Sequence, residues 1–207
     1  MKILFTGGSG LLGTHLIPLL QEAGHEIIAP SHSDFDLKNT TSRQLVDMIV
    51  HAGAYTNVDK AEEEPAECYE VNVTGTYNLL KNNTMIAFVY ISSEFAKNPV
   101  NFYSKTKLEA EEVVKKLAEK YLIIRTLFKE RPFKHDRAFT DQYTQGDYVD
   151  VIAPLIAGVI LSDWKKAGSI FYVGTGRKTM FDLAKQTKPD VKPMSIKEMK
   201  VARPADY

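Results

Sequence analysis

An open α/β sheet, doubly wound and parallel, with a small lobe appended on its C-terminal side, is the fold class that the sequence predicts. Three observations carry it. Short apolar runs alternate with segments of helical period from residue 1 to about residue 126. A glycine cluster joins the first apolar run to the first helical segment. After Leu127 the alternation yields to a basic, proline-containing stretch and then to weaker periodicity. The 207 residues are long for one domain and short for two. A sheet domain over 1–127 and a smaller substrate lobe over 128–207 fit that length.

The elements follow in order. Lys2 to Thr6 reads as a buried strand, and Leu11 to Ala23 as a helix that Pro18 should kink and Gly24 should end. Glu26 to Ala29 is a second strand, Thr41 to Asp47 a short helix, and Met48 to His51 a third strand. Tyr69, Val73, Tyr77 and Leu80 recur at three- and four-residue steps, which predicts a helix over 67–81 with Pro65 in its first turn. Ile86 to Ser92 and Tyr121 to Arg125 are further strands, separated by a long helix over 102–120. In the second part, 149–161 reads as an apolar helix, 170–173 as a strand and 180–186 as a short helix.

Composition narrows the function classes. Lys and Arg number 26 against 26 Asp and Glu, so nothing global suggests the basic face of a nucleic-acid binder. One cysteine excludes a disulfide framework and a Cys-rich zinc site. The histidines lack metal-ligand spacing, and no metal is expected. No apolar run approaches the roughly 20 residues that span a bilayer. The N-terminal run is too short for a signal-peptide core. A cytoplasmic protein without a membrane partner is the expectation.

Thr6-Gly7-Gly8-Ser9-Gly10-Leu11-Leu12-Gly13 lies between a strand and a helix, with Gly7, Gly10 and Gly13 spaced by three. The first permits a tight turn, the second lets backbone approach a pyrophosphate, and the third lets helix and strand pack closely. The helix start then offers free N–H groups to phosphates. The fold expectation is therefore Rossmann-type, with Gly7, Ser9, Gly10, Leu11, Leu12 and Gly13 as cofactor-binding candidates. The ribose-reading position falls near Ser31-His32-Ser33, where no acid occurs before Asp34. Ser31 and His32 suit a 2′-phosphate, which favours NADPH and leaves NADH open; the plain alternative is a polar loop. Asp36 and Leu37 border the adenine region, or Asp36 is a turn residue.

Tyr103 and Lys107 are four residues apart at the start of the long helix and so share one face. An ammonium beside a phenol lowers its pKa, and a tyrosine so placed can donate a proton to a carbonyl oxygen as hydride arrives at its carbon. The preceding strand ends in Ile91-Ser92-Ser93-Glu94, which places hydroxyls at the sheet edge where ligands of such folds bind.

These residues resemble the extended short-chain dehydrogenase/reductases. The stretch from Ala54 to Pro65 is similar to the dTDP-4-dehydrorhamnose reductase family, as are Arg125-Thr126, Asp141-Gln142 and Arg203-Pro204. The resemblance implies NADPH-dependent reduction of a 4-keto nucleotide sugar. It implies Ser93, Tyr103 and Lys107 as the catalytic set, with Tyr103 and Lys107 also touching cofactor. Ala52, Gly53, Ala54, Tyr55, Asn72 and Ser92 are implied along the cofactor groove. Tyr55, Asn57, Ser93, Arg125, Gln142 and Arg203 are implied around the substrate. A nucleotide-sugar substrate is the implied partner, with a homodimer left open.

The chain also departs from the family. Ser92-Ser93-Glu94-Phe95 stands where Ser-Thr-Asp-Tyr is usual, and Leu127-Phe128 replaces Ser-Trp. The segments after Phe95 and Phe128 are short. These parts shape the sugar-nucleotide pocket, so a compact member with another substrate and a chain lacking segments both stay open. A non-catalytic cofactor-binding regulatory subunit and a nucleotide-sugar epimerase or dehydratase are the alternatives. Lys129, Arg131, Lys134 and Arg137 form a basic cluster that suits a pyrophosphate, although a solvated loop is the commoner meaning. Glu62, Glu63 and Glu64 read as acids around a helix start, and Cys68 as buried filler.

Overall fold

The computed structural model describes residues 1–40, 43–162 and 168–207. Strand β1 (Lys2–Thr6) leads into α1 (Leu11–Glu22), β2 (Glu26–Ile28) and β3 (Met48–His51). Next come α2 (Val58–Glu63), α3 (Pro65–Tyr69), a π-helical turn at Glu70–Thr74, α4 (Gly75–Leu80) and β4 (Ala87–Ser93). Helix α5 (Phe102–Leu117) precedes β5 (Tyr121–Thr126), and four short strands follow: β6 (Phe128–Lys129), β7 (Arg137–Phe139), β8 (Tyr143–Thr144) and β9 (Asp147–Tyr148). Helix α6 (Val149–Leu161), β10 (Ser169–Val173), β11 (Lys178–Thr179), α7 (Met180–Lys185) and β12 (Lys192–Met194) come next, and a 3-10 turn at Ile196–Glu198 is the last element.

Six strands pair in parallel in the order β10-β5-β4-β3-β1-β2. Such sheets are buried on both faces, and the period-2 alternation of side chains sorts each strand between two cores. Ile3, Phe5, Met48, Val50, Val89, Ile91, Leu122 and Ile124 meet α1 and α6. Leu4, Ile49, Phe88, Tyr90 and Ile123 meet α4 and α5. The chain runs outward from β1 to β2, then crosses to β3 on the other flank of β1. Strand order therefore reverses between β1 and β3, the place where folds of this kind bind ligands. There Gly7 adopts φ 75°, and a Cβ on it would lie 2.7 Å from the Gly53 nitrogen.

Three expectations need correction. Of the helix expected over 41–47, residues 41 and 42 lie outside the described residues, and 43–47 are not helical. Gln44 N–H donates to Asn83 Oδ1 (2.7 Å) and Lys2 N–H to Asp47 Oδ2 (2.7 Å), which holds this stretch along the sheet. The helix expected over 67–81 starts at Pro65, carries the π turn, and leaves Tyr69 and Tyr77 exposed. Its buried face instead includes the polar Asn72 and Thr76, which a search for apolar spacing passes over. Helix α2 buries only Ala61 and has no apolar stripe that periodicity detects. The lobe expected over 128–207 gives up its middle, because α6 packs on α1 and β10 pairs with β5. That parallel crossover covers the free edge of β5 and buries Ile152, Ile156 and Ile160. The remaining lobe has its own core of Phe133, Ala138, Tyr148, Met180, Leu183 and Val191. Among the described residues no helix is long and apolar enough to cross a membrane.

Candidate active site

A cavity of about 1250 Å³ runs from the glycine loop, past the C-terminal ends of the strands, to the lobe. Sites for one small ligand occupy roughly 300–1,000 Å³, so this cleft has room for two ligands.

At one end, α1 begins at Gly10 with no side-chain cap, leaving its first N–H groups for a ligand. Gly7, Ser9, Gly10, Leu11 and Leu12 line the cleft. A Cβ on Gly10 would meet only the Gly7 carbonyl oxygen, at 3.2 Å. Gly13 is not on the wall: a Cβ there would lie 2.4 Å from the Gly8 oxygen, so this glycine serves helix–loop packing. Ser31, His32, Asp36 and Leu37 border the same end. The Ser31 hydroxyl donates to Asp34 Oδ2 (2.6 Å). Asp36 accepts from Lys38 N–H (3.0 Å) and from Asn39 Nδ2 (2.8 Å), which makes it a turn residue at the cleft edge.

At the switch point, Ala52, Gly53, Ala54 and Tyr55 line the wall. Behind them runs a buried chain of hydrogen bonds. Gly53 N–H donates to Thr6 Oγ1 (3.2 Å), which lies 2.7 Å from His51 Nδ1; His51 Nε2 lies 3.0 Å from Thr76 Oγ1. The Thr76 hydroxyl donates to the Asn72 carbonyl (2.6 Å). Since Thr76 spends its proton there, His51 Nε2–H is the donor to Thr76, and the Thr6 hydroxyl donates to Nδ1. Burial pulls the imidazole pKa down to about 3, so the ring stays neutral. Asn72 is absent from the wall. Its side chain accepts from Tyr55 N–H (2.8 Å) and donates to Tyr55 O (3.2 Å), so it holds the Tyr55 backbone in place. The Tyr55 hydroxyl donates to Glu64 Oε2 (2.6 Å), a bond that pushes the phenol up to about 12. Asn57 lines the cleft and caps α2 by accepting from Lys60 N–H (3.1 Å).

Of the acid run 62–64, only Glu64 stands at a helix start, as the N-cap residue of α3. Glu62 and Glu63 end α2, and Glu62 Oε1 reaches over to accept from Phe102 N–H (2.7 Å) at the first turn of α5. Asn101 and Ser104 add a reciprocal capping box at the same place. This anchored terminus presents Tyr103 and, one turn later, Lys107 to the cleft, where Ser93 from the end of β4 joins them. Lys107 is buried; its Nζ donates to Ile91 O (2.9 Å) and sits 4.3 Å from the Tyr90 ring centroid. Desolvation lowers its pKa to about 7. The expectation that Lys107 depresses the Tyr103 phenol is overturned. Desolvation pushes that phenol up to about 12, and the hydrogen bond with Ser93 offsets only part of the rise. Ser92 lines the cleft while its hydroxyl donates to Glu111 Oε1 (2.6 Å). Cys68 is more than filler, since its sulfur lies 3.5 Å from Thr106 Oγ1 and from Asn72 Nδ2.

Of the expected substrate contacts, Gln142 and Arg203 reach the wall and Arg125 does not. Arg125 turns inward onto Glu111. Gln142 Nε2 donates to Pro204 O (2.9 Å), and Arg203 Nη2 pairs with Asp59 Oδ1 (2.7 Å), tying residues 203–204 to the cleft.

A parallel sheet that reverses its order at a glycine loop, with serine, tyrosine and lysine on one wall of the resulting cleft, is the architecture of the extended short-chain dehydrogenase/reductases. Within that class, the chain belongs to the RmlD substrate binding domain family, whose description matches residues 1–153. It is 30% identical to the dTDP-4-dehydrorhamnose reductase of Mycolicibacterium smegmatis, with 60% of this chain and 45% of that protein covered. The chain spans about half the length of the curated relatives it matches. Among solved structures, a dTDP-4-dehydrorhamnose reductase from Clostridium acetobutylicum is similar over 100% of this chain and 89% of its own, at TM-score 0.85 and 26% identity. The dTDP-4-dehydrorhamnose reductase of Bacillus anthracis in complex with NADP has the same fold at TM-score 0.82 and 24% identity, over 99% and 87% of the two chains.

Proposed function

We propose that this chain binds NADPH and reduces a 4-keto group on a nucleotide-activated sugar. The observation that carries the reading is that Ser93, Tyr103 and Lys107 share one cleft with the uncapped start of α1. The residues fit a dinucleotide: a Cβ at Gly10 would point into ligand space, and the α1 N–H groups have no side-chain partner. Gly7, Ser9, Gly10, Leu11 and Leu12 would hold the pyrophosphate, with Ser31, His32, Asp36 and Leu37 at the adenosine end and Ala52 to Tyr55 along the groove. The names of the relatives support the substrate class, and the NADP in the Bacillus anthracis structure supports the cofactor.

Bound NADPH would supply the hydride. The chain supplies the proton and the orientation. With its pKa at about 12, the Tyr103 phenol keeps its proton near neutral pH, which is the form a donor to the ketone oxygen needs. Ser93, bonded to that phenol, orients the same oxygen. Lys107 Nζ, fixed by Ile91 O, stands one helical turn from Tyr103, where the family's lysine meets the cofactor ribose. Asn72 and the His51 chain of hydrogen bonds keep the backbone of 53–55 in place.

The test is consumption of NADPH by the purified protein with 4-keto sugars carried on dTDP, UDP and GDP. Turnover with one of them is the expected result. Tight NADPH binding with no reduction across the set overturns the reductase reading in favour of a regulatory subunit.

A further inference from the structure

We propose that Lys129 is the seat of the substrate's diphosphate at the lobe end of the cleft; the inference rests on the nucleotide-sugar reading above. Four basic residues lie between 129 and 137, and the fold separates them. Arg131 Nε pairs with Asp150 (3.0 Å) and its guanidinium lies 4.3 Å from the Tyr148 ring centroid, while Lys134 pairs with Glu130; neither lines the cleft. Lys129 and Arg137 remain on the wall, joined there by Arg203.

These three cations differ in one respect. Arg137 is matched by Glu198 (2.7 Å) and Arg203 by Asp59 (2.7 Å). The Lys129 ammonium makes no hydrogen bond and no ion pair among the described residues. Its backbone is not loose, because β6 pairs with β9 and sets Lys129 opposite Tyr148. The ammonium is thus held in a half-buried wall without a counter-ion, with Arg203 adding repulsion. Glu94 is the acid that acts on it, but Glu94 Oε2 is engaged by Gln145 N–H (3.2 Å), and burial raises that carboxyl to about 7. A half-buried, unmatched ammonium is unfavourable by itself. A phosphate oxygen removes that penalty through a charge-assisted hydrogen bond. The glycine loop serves a cofactor's phosphates at the opposite end, so Lys129 is left for the second ligand.

The experiment is titration calorimetry on the NADPH-saturated protein, with dTDP, UDP, inorganic pyrophosphate and thymidine as probes, for the parent, Lys129→Met and Lys129→Arg. Methionine keeps the apolar stem and removes the charge. The expected result is dTDP or UDP affinity about 10- to 100-fold weaker in Lys129→Met. Thymidine and NADPH affinities should stay within about twofold, with most of the loss recovered in Lys129→Arg. Lys129→Met binding dTDP and UDP as tightly as the parent overturns the assignment, as does a parent that binds neither. A Lys129-dependent nucleoside diphosphate site in a protein that reduces no keto sugar supports the seat while refuting the reductase reading.

Discussion

Arg125 grips Glu111 through two parallel bonds, Nε to Oε1 at 2.9 Å and Nη2 to Oε2 at 2.7 Å, with the carboxylate fully buried. The Ser92 hydroxyl shares Oε1, and Arg125 Nη1 donates to the Tyr172 hydroxyl (2.6 Å). The pair therefore locks α5 to β4, β5 and β10 behind the cleft. Arg125→Met would strand a buried carboxylate, and a loss of about 3–5 kcal/mol of stability is expected. Chemical denaturation measures it, and substrate affinity in the folded variant should not change. A stable variant with weakened substrate binding would return Arg125 to the site.

Tyr103→Phe removes the proposed proton donor and keeps the ring. A loss of about 10²- to 10⁴-fold in kcat is expected with NADPH affinity retained. Steady-state kinetics alongside a separate binding titration checks it; parental turnover in the variant would mean that another group donates the proton.

The glycine loop separates two kinds of glycine. Gly10→Val should abolish dinucleotide binding in a folded protein, because the side chain enters the cleft beyond one contact at 3.2 Å. Gly13→Ala should instead destabilise the fold, since its Cβ would collide with the Gly8 carbonyl at 2.4 Å. Thermal unfolding with and without NADPH tells these outcomes apart.

Glu94 and Lys107 set opposite pH trends. The folded pKa of Glu94 is raised from 4.5 to about 7, so its stabilising contribution is complete below pH 4.5 and is lost as pH rises through 7. Lys107 is lowered from 10.5 to about 7, so its burdened ammonium weakens the fold below pH 7 and is relieved as pH climbs toward 10.5. Glu94→Gln should remove the first trend, gaining stability over the parent between about pH 5 and pH 8 by a few kcal/mol. Parallel denaturation curves for the two proteins across that interval would contradict it.

His51 should carry its proton on Nε2 and stay neutral from about pH 8 down to about pH 4, given its pKa of about 3. Nitrogen-15 NMR of the ring distinguishes the two tautomers and the cation. A titration near the ordinary histidine range, or a proton on Nδ1, would break the hydrogen-bond directions assigned from Gly53 to Asn72.

By itself the sequence determined the alternation of strands and helices through residue 126, the glycine spacing at the first turn, and the four-residue step that puts Tyr103 and Lys107 on one face of α5. These features are local: apolar period, turn chemistry and helix geometry are written in adjacent residues. Tertiary structure decided the polar pairings. Arg125 met Glu111 and left the site, Asn72 turned to the Tyr55 backbone, and Arg203 found Asp59 across 144 positions of chain. It also returned α6 and β10 to the sheet, split the basic cluster so that Lys129 alone faces the cleft unmatched, and raised the Tyr103 phenol that spacing alone would have lowered. The physical reason is the same in each case. An apolar pattern reports which face of an element leaves water, whereas a polar group's partner, charge state and role depend on what distant segment the fold brings within about 3 Å of it.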